Sequence, residues 1–365
     1  MRFAFYTVCP SPHQYPLAEE LASRIGAENF RYISLRETEG ERARLGWGGA
    51  LCAEWEILPG EQQATVCEWL ENADVLFTSI RDIALFERRA QNRRKTFYFS
   101  ERWFKPISIK MRWVSFPGWM RMAVPRYGMM VRRFVRWANE GPLARVFPIG
   151  PWAAADFRKM GVCSQKLVPW GYFVADASTK VTAGSSNDGV FKVLWVGRML
   201  DWKRVDTIIR AVTRANETLG ARGIVLTLVG DGPEKLALQT LARKLDAPVE
   251  FRDSVSIAQV RELMRAHDLY VLASNGYEGW GAVVSEALEE GMLCVGTREA
   301  GSSATILPAT HQFKAGDVKA LARLILEADA GRLSRVPIGE WTAKAAAERL
   351  IKMVEQTSEN SKAIL

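Results

Sequence analysis

Short apolar stretches rich in branched and aromatic residues alternate along this chain with longer stretches of helical period. FAFYTV (3–8) precedes the amphipathic PLAEELASRIG (16–26), and FRYISL (30–35) forms a second strand-like run. EQQATVCEWLENA (61–73) reads as a helix feeding the strand DVLFTSI (74–80). RDIALFERRAQNRR (81–94) then leads to TFYFSE (96–101). Residues 118–139 read as a helix interrupted at Pro125, followed by the strand VFPIG (146–150) and the helix PWAAADFRKMG, with Pro151 at a favoured start position. Repeated strand–helix units predict an α/β protein whose parallel sheet is covered by helices on both faces.

KLVPWGYF (166–173) runs into the polar, Gly/Ser-rich DASTKVTAGSSNDG (176–189), which is the best linker or exposed loop in the sequence. The alternation then restarts with FKVLWVG (191–197) and RVDTIIRAVTRANETLG (204–220). GIVLTLVG (223–230), PEKLALQTLARKLD (233–246), PVEFR (248–252), SIAQVRELMRAH (256–267) and LYVLAS (269–274) follow. After AVVSEALEEG (282–291) come the strand MLCVGT (292–297) and, over 339–357, one or two further helices. A length of 365 residues suits two domains. The expectation is a first Rossmann-like domain over 1–170 and a second over 171–344, with a helix in 345–365 that can pack back on the first. A ligand would then lie in the cleft between them, at the C-terminal ends of the strands.

Composition narrows the class. No run of 18 apolar residues occurs, so no membrane-spanning helix is expected, and MRFAFYTVCP is too short for a signal peptide. The five cysteines are scattered without a CxxC pair, so neither zinc nor a disulfide framework is implied, and a reducing cytoplasm is the simplest setting. The net charge of +8 is uneven: residues 1–190 hold 26 Lys+Arg against 19 Asp+Glu, a surplus of +7. Ten of those cations fall between Arg102 and Arg145, with Glu140 the one acid, among Trp103, Phe104, Trp113, Phe116, Trp119, Phe134 and Trp137. Cations interleaved with aromatics suggest an anionic membrane surface or acceptor, reached peripherally; a partly buried helical region with its arginines in water is the plainer reading. Nucleic acid is not an expected partner.

The chemistry concentrates in SNGYEGWGAVVSEALEEG (274–291). Glu278 sits between a buried strand and a helix, and Glu286 lies about two turns inside that helix, about 12 Å further at 1.5 Å per residue. Acids so far apart cannot share one proton or one metal, but they can hold the two ends of a long ligand. Gly279 and Gly281, on either side of Trp280, make the backbone N–H groups of the helix start approachable, which suits a phosphate. Arg198 and Lys203 bracket the loop after the strand 191–197; a guanidinium fork and an ammonium there suit a diphosphate. Gly230-Asp231-Gly232-Pro233 is a tight turn into a helix, mostly structural by itself. Neither GxGxxG nor GxxxxGK[ST] occurs, so a nicotinamide site or a P-loop has no support.

In this order, GRMLDWK, VGDGP, ASNGYEGWGAVVSEALEEG, MLCVGT and the turn Gly301-Ser302 resemble the retaining nucleotide-sugar glycosyltransferases of family four. The resemblance covers roughly 190–310; the first domain matches only in layout. It implies the GT-B fold, two Rossmann-like domains facing each other across a cleft. It also implies a metal-independent transfer of a sugar from a UDP- or GDP-linked donor to a glycan or lipid-linked acceptor, with no cofactor. By that likeness Arg198 and Lys203 bind the donor diphosphate, Glu278 lies at the donor sugar, Glu286 holds the ribose, and the amides of Gly279, Trp280 and Gly281 lie near sugar and phosphate. Gly230 and Arg252, the latter in the segment 251–258 expected near the base, complete the donor side. In the first domain, CPSPHQ (9–14) stands where many members have a Gly-Gly loop, and His13 there is a candidate for the donor phosphate or an acceptor hydroxyl. An epimerase of the same fold and an inactive GT-B protein that binds a glycolipid are the rival readings.

Overall fold

A computed structural model describes residues 1–37, 40, 53–57, 60, 63–104, 125–175, 189–219 and 223–362. The chain divides into two compact units, Met1–Asp176 with Glu340–Leu365, and Ala177–Gly339.

The first unit is a six-stranded sheet in the order β3-β2-β1-β4-β5-β6. Its strands are β1 (Phe3–Thr7), β2 (Phe30–Ser34), β3 (Glu56–Ile57), β4 (Val75–Thr78), β5 (Lys95–Ser100) and β6 (Ala144–Pro148), and every pairing is parallel. Helices α1 (Tyr15–Ile25), α2 (Gln63–Asn72), α3 (Ile83–Gln91) and α4 (Pro125–Glu140) lie between successive strands, and α5 (Pro151–Met160) follows β6. The helix expected over 118–139 is described from Pro125 to Glu140. Residues 118–124 lie outside the described residues. The last helix, α12 (Ala343–Lys362), belongs to this unit. Ala343 N–H donates to Val174 O at 2.8 Å, Phe173 and Trp341 stack at 5.9 Å, and α12 packs against α1.

The second unit is built on the same plan, in the order β12-β11-β10-β7-β8-β9, again all parallel. Its strands are β7 (Phe191–Val196), β8 (Ile224–Val229), β9 (Val249–Arg252), β10 (Leu269–Leu272), β11 (Leu293–Thr297) and β12 (Gln312–Phe313). Between them run α6 (Val205–Leu219), α7 (Lys235–Lys244), α8 (Ile257–Ala266), α9 (Ala282–Glu289), α10 (Gly301–Ile306) and α11 (Val318–Asp329). Alternate residues of β10 enter opposite cores: Leu269 and Val271 join the layer under α6 and α11, while Tyr270 and Leu272 join the layer under α9. Burial on both faces explains why the central strands read as continuous apolar runs. In both units the order of strands reverses between the first and the fourth strand of the unit, and in open α/β sheets ligands bind at that switch, outside the carboxyl ends. In the second unit the switch lies between β7 and β10.

His267, at the end of α8, is buried and fully engaged: Nδ1 is 2.7 Å from Leu263 O and Nε2 is 2.9 Å from Thr227 Oγ1. Burial holds its pKa below the ordinary 6.5, with the Leu263 carbonyl opposing in part. The folded chain therefore binds this proton less well than the unfolded chain. The stability His267 contributes is complete above pH 6.5 and is lost as pH falls from there through the depressed value. The thermal midpoint is expected to fall between pH 7 and pH 5, and to fall less in His267→Gln; equal slopes in the two proteins would remove His267 from that dependence.

Candidate active site

The two loops that leave β7 and β10 at the switch meet. Asn275 N–H donates to Trp202 O at 2.8 Å, and the rings of Trp202 and Tyr277 lie 5.5 Å apart. Alongside them, Lys203 Nζ forms an ion pair with Glu278 Oε2, the two side chains being 21% and 14% exposed. Ser274 Oγ donates to the same carboxylate oxygen at 2.8 Å, and Thr297 Oγ1, from β11, donates to Ser274 O. Glu278 N–H is tied to Asn275 O at 3.0 Å and Tyr277 N–H to Asn275 Oδ1 at 2.9 Å. The carboxylate is therefore held from the loops after β7 and β10, although Lys203 and Glu278 are 75 residues apart in the chain.

The loop after Glu278 turns its amides one way. Gly301 N–H donates to Gly279 O at 3.2 Å, Ser302 N–H to Trp280 O at 2.8 Å and Ser302 Oγ to Gly281 O at 2.9 Å. Three successive carbonyls thus face the start of α10. Because each trans peptide sets its N–H opposite its C=O, the N–H groups of Trp280, Gly281 and Ala282 point away from α10. Gly281, with φ +86°, is the residue before α9 and allows this turn. A Cβ built there would lie 3.5 Å from Glu278 Cγ, so the acid lies close over this turn. Aligned amides at a helix start suit an anion. Trp280 is fully buried, with Nε1 donating to Ser285 Oγ at 3.3 Å, so of this turn only Gly281 and Ala282 keep exposed surface for a ligand.

Glu286 lies half-buried in the second turn of α9, and its carbonyl accepts from Arg261 Nη1 at 3.0 Å. Arg198 is exposed on the loop after β7, beside Gly197. Gly230 contributes shape: its N–H donates to Arg252 O at 3.0 Å, and it packs backbone to backbone on Gly197. Arg252 ends β9, exposed, in a two-bond pair with Glu250 at 2.8 and 3.0 Å. His13 is in the first unit, where its ring stacks on Tyr172 at 5.7 Å and Tyr172 Oη donates to Glu101 Oε1 at 3.3 Å. The second unit thus brings together Lys203, Glu278 and the 279–281 loop directly. Ser274 and Thr297 were not expected; a Ser at the end of the apolar LYVLAS was the available signal.

Beneath the two acids lies Tyr270, fully buried on β10, whose hydroxyl has no hydrogen-bond partner among the described residues. Burial, and then the charges of Glu278, Cys294 and Glu286, hold its phenol well above the ordinary 10. An unpaired buried hydroxyl costs about 1–3 kcal/mol, and an isosteric apolar group removes that cost. Tyr270→Phe is expected to raise the thermal midpoint by a few degrees, on the order of 1 kcal/mol; a lower midpoint would mean that the hydroxyl has a partner.

The basic stretch Arg102–Arg145 keeps little aromatic surface where it is described. Val131, Phe134, Trp137 and Ala138 form the buried face of α4, and Trp103 packs on Phe134 at 4.9 Å. Arg133 and Arg136 pair with Glu87, Arg102 with Asp156, and Arg145 donates to the carbonyls of Pro142 and Ala144. Arg126 and Arg132 are exposed. Trp113, Phe116 and Trp119 lie outside the described residues. No described helix is long and apolar enough to cross a membrane.

Residues 190–328 match the family model described as glycosyl transferases group 1. Two solved structures share the whole architecture. Anabaena Alr3699/HepE in complex with UDP superposes with a TM-score of 0.64 at 16% identity over 100% of both chains. The lipopolysaccharide outer core galactosyltransferase WaaB, in its apo form, gives 0.66 at 14% over 98% of this chain and 99% of that one. The fold is GT-B. Among curated sequences, the lipopolysaccharide core biosynthesis glycosyltransferase LpsE of Rhizobium meliloti is 29% identical over 150 residues, 40% of this chain. The matched regions span only 25% to 42% of the curated relatives. The matched segment 190–328 contains every residue of the β7–β10 site described above.

Proposed function

We propose that this chain is a retaining, metal-independent glycosyltransferase. It would move a sugar from a nucleoside-diphosphate sugar to a hydroxyl of a glycan or lipid-linked acceptor, in lipopolysaccharide or related cell-surface glycan synthesis. The observation that carries the reading is the meeting of Lys203 and Glu278 beside the start of α9 at Gly281 and Ala282, at the switch point of the second unit. A cation, a carboxylate and aligned N–H groups suit a ligand with a diphosphate at one end and hydroxyls at the other. HepE, of the same fold, has been solved with UDP and with UDP-glucose.

In this mechanism the bond between the sugar C1 and the β-phosphate oxygen breaks, and its electron pair leaves on the diphosphate. Lys203, Arg198 and the amides of Gly281 and Ala282 receive that charge in a fixed arrangement, so no solvent need reorganise as it develops. The two side-chain cations meet the charge that a divalent metal would otherwise neutralise. The acceptor oxygen bonds to C1 on the face the diphosphate leaves, and its proton passes to the departing phosphate oxygen. Glu278 accepts hydrogen bonds from the donor sugar, and Glu286, further along α9, from the ribose. Gly230 shapes the donor loop, Arg252 borders the base, and His13 would serve the donor phosphate or an acceptor hydroxyl.

Incubation with a panel of UDP- and GDP-linked sugars, read by mass spectrometry, tests the reading. One donor is expected to be hydrolysed slowly to nucleoside diphosphate and free sugar. Conversion of the sugar within an intact donor would instead identify an epimerase, and no change of any donor a protein without this activity. A peripheral role at an anionic membrane rests on the charge of exposed residues such as Arg126 and Arg132. It requires co-sedimentation with anionic vesicles that is released by salt, since the attraction is screened over about 8 Å at physiological ionic strength.

A further inference from the structure

Lys203 already has a partner within the protein. Its ammonium is paired with Glu278 Oε2, the oxygen that also accepts from Ser274 Oγ at 2.8 Å. A diphosphate at the amides of Gly281 and Ala282 would compete with that carboxylate for the same ammonium. We propose that Lys203 is exchanged on donor binding: it leaves Glu278 for the diphosphate, and the carboxylate released is the one that takes the sugar hydroxyls. This inference rests on the donor-site reading given above.

The loops do not depend on the ion pair to stay in place. The Asn275–Trp202 backbone bond, the Trp202–Tyr277 ring contact and the Glu278–Asn275 backbone bond fix both chains without it. Lys203 carries its charge on a flexible four-carbon stem, so it can swing between two anions with its backbone still. Glu278 is the more tethered of the two, because Ser274 Oγ donates to its oxygen and the Ser274 main chain is held in turn by Thr297 Oγ1 on the Ser274 carbonyl. The pair is only partly exposed, so water screens it less than a surface pair. Two consequences follow. A bare nucleoside diphosphate must break the pair and brings no sugar hydroxyl to Glu278. A nucleotide sugar breaks the same pair but gives Glu278 hydroxyl donors in return.

The test is a calorimetric titration of UDP and GDP into wild-type protein, Glu278→Gln, Lys203→Met and the double variant, with circular dichroism as the folding control. Glu278→Gln is expected to bind its nucleoside diphosphate about 3- to 10-fold more tightly than wild type, the scale of a partly screened ion pair no longer competing. In the Lys203→Met background the same change at Glu278 should give no gain, because there is no ammonium left to release. A gain that persists without Lys203 would identify simple repulsion between Glu278 and the diphosphate, and would overturn the exchange. Unchanged or weaker binding by Glu278→Gln would overturn it too, and Glu278→Ala repeats the comparison should the glutamine variant fail to fold. If wild-type protein binds neither nucleotide, the donor-site reading fails first and takes the exchange with it.

Discussion

Gly230→Ala is expected to cost about 3–5 kcal/mol and to lower the thermal midpoint by about 10 °C or more, if the protein folds at all. Gly230 has φ +134°, where L side chains rarely sit, and an added Cβ would collide with the Gly197 carbonyl oxygen. The obstacle is backbone, so no rotamer change relieves it. Gly197 N–H is tied to Val229 O and Gly230 N–H to Arg252 O, both at 3.0 Å, which prevents either chain from stepping back. Two residues on, a Cβ at Gly232 would lie 2.5 Å from Met199 O, so the loops after β7 and β8 are packed main chain to main chain over several residues. That packing fixes the path along which Arg198 and Lys203 are presented. Gly223→Ala is the control, since a Cβ there meets nothing within 4 Å. A Gly230→Ala protein as stable as the Gly223→Ala protein would show that the loop has room, and the account of its shape would be wrong.

Lys203→Ala is expected to weaken nucleoside-diphosphate binding about 10- to 150-fold, the loss of a charged hydrogen bond of about 1.5–3 kcal/mol. The loss should exceed that of Arg198→Ala, because the Lys203 side chain is only 21% exposed and water screens its charge less. Arg198 is exposed and partly screened by solvent. Glu286→Gln should weaken the bare nucleoside diphosphate as well, since the ribose is part of it. The check is calorimetric affinity for the three variants side by side; an unchanged value in Lys203→Ala would remove the diphosphate from this loop.

Much of the architecture was legible because the central strands are buried on both faces and are flanked by amphipathic helices. FKVLWV, IVLTLV and LYVL carry that signal almost unaided. The edge strands β3 and β12 were not legible, since two residues are too few to display a period. Helix α11 was missed although it has a start signal, Asp317 Oδ1 accepting from Ala320 N–H at 2.9 Å. In α4 the interleaving of arginines with Phe134 and Trp137 looked like a surface pattern. The spacing Val131, Phe134, Trp137, Ala138 is that of one helical face turned to the core, and read that way it predicts burial. At the site, the residue types were legible and the pairing was not. Only the strand order 12-11-10-7-8-9 brings the loop of Lys203 beside the loop of Glu278, and no local pattern encodes that order.

The central claim is that a donor nucleotide binds at the β7–β10 switch of the second unit. Amide hydrogen exchange followed by mass spectrometry, on wild-type protein with and without saturating UDP or GDP, tests it without any substitution. With the nucleotide that binds, exchange is expected to slow in peptides covering 197–204 and 274–286. Protection confined to other segments, or no protection with either nucleotide, would contradict the account.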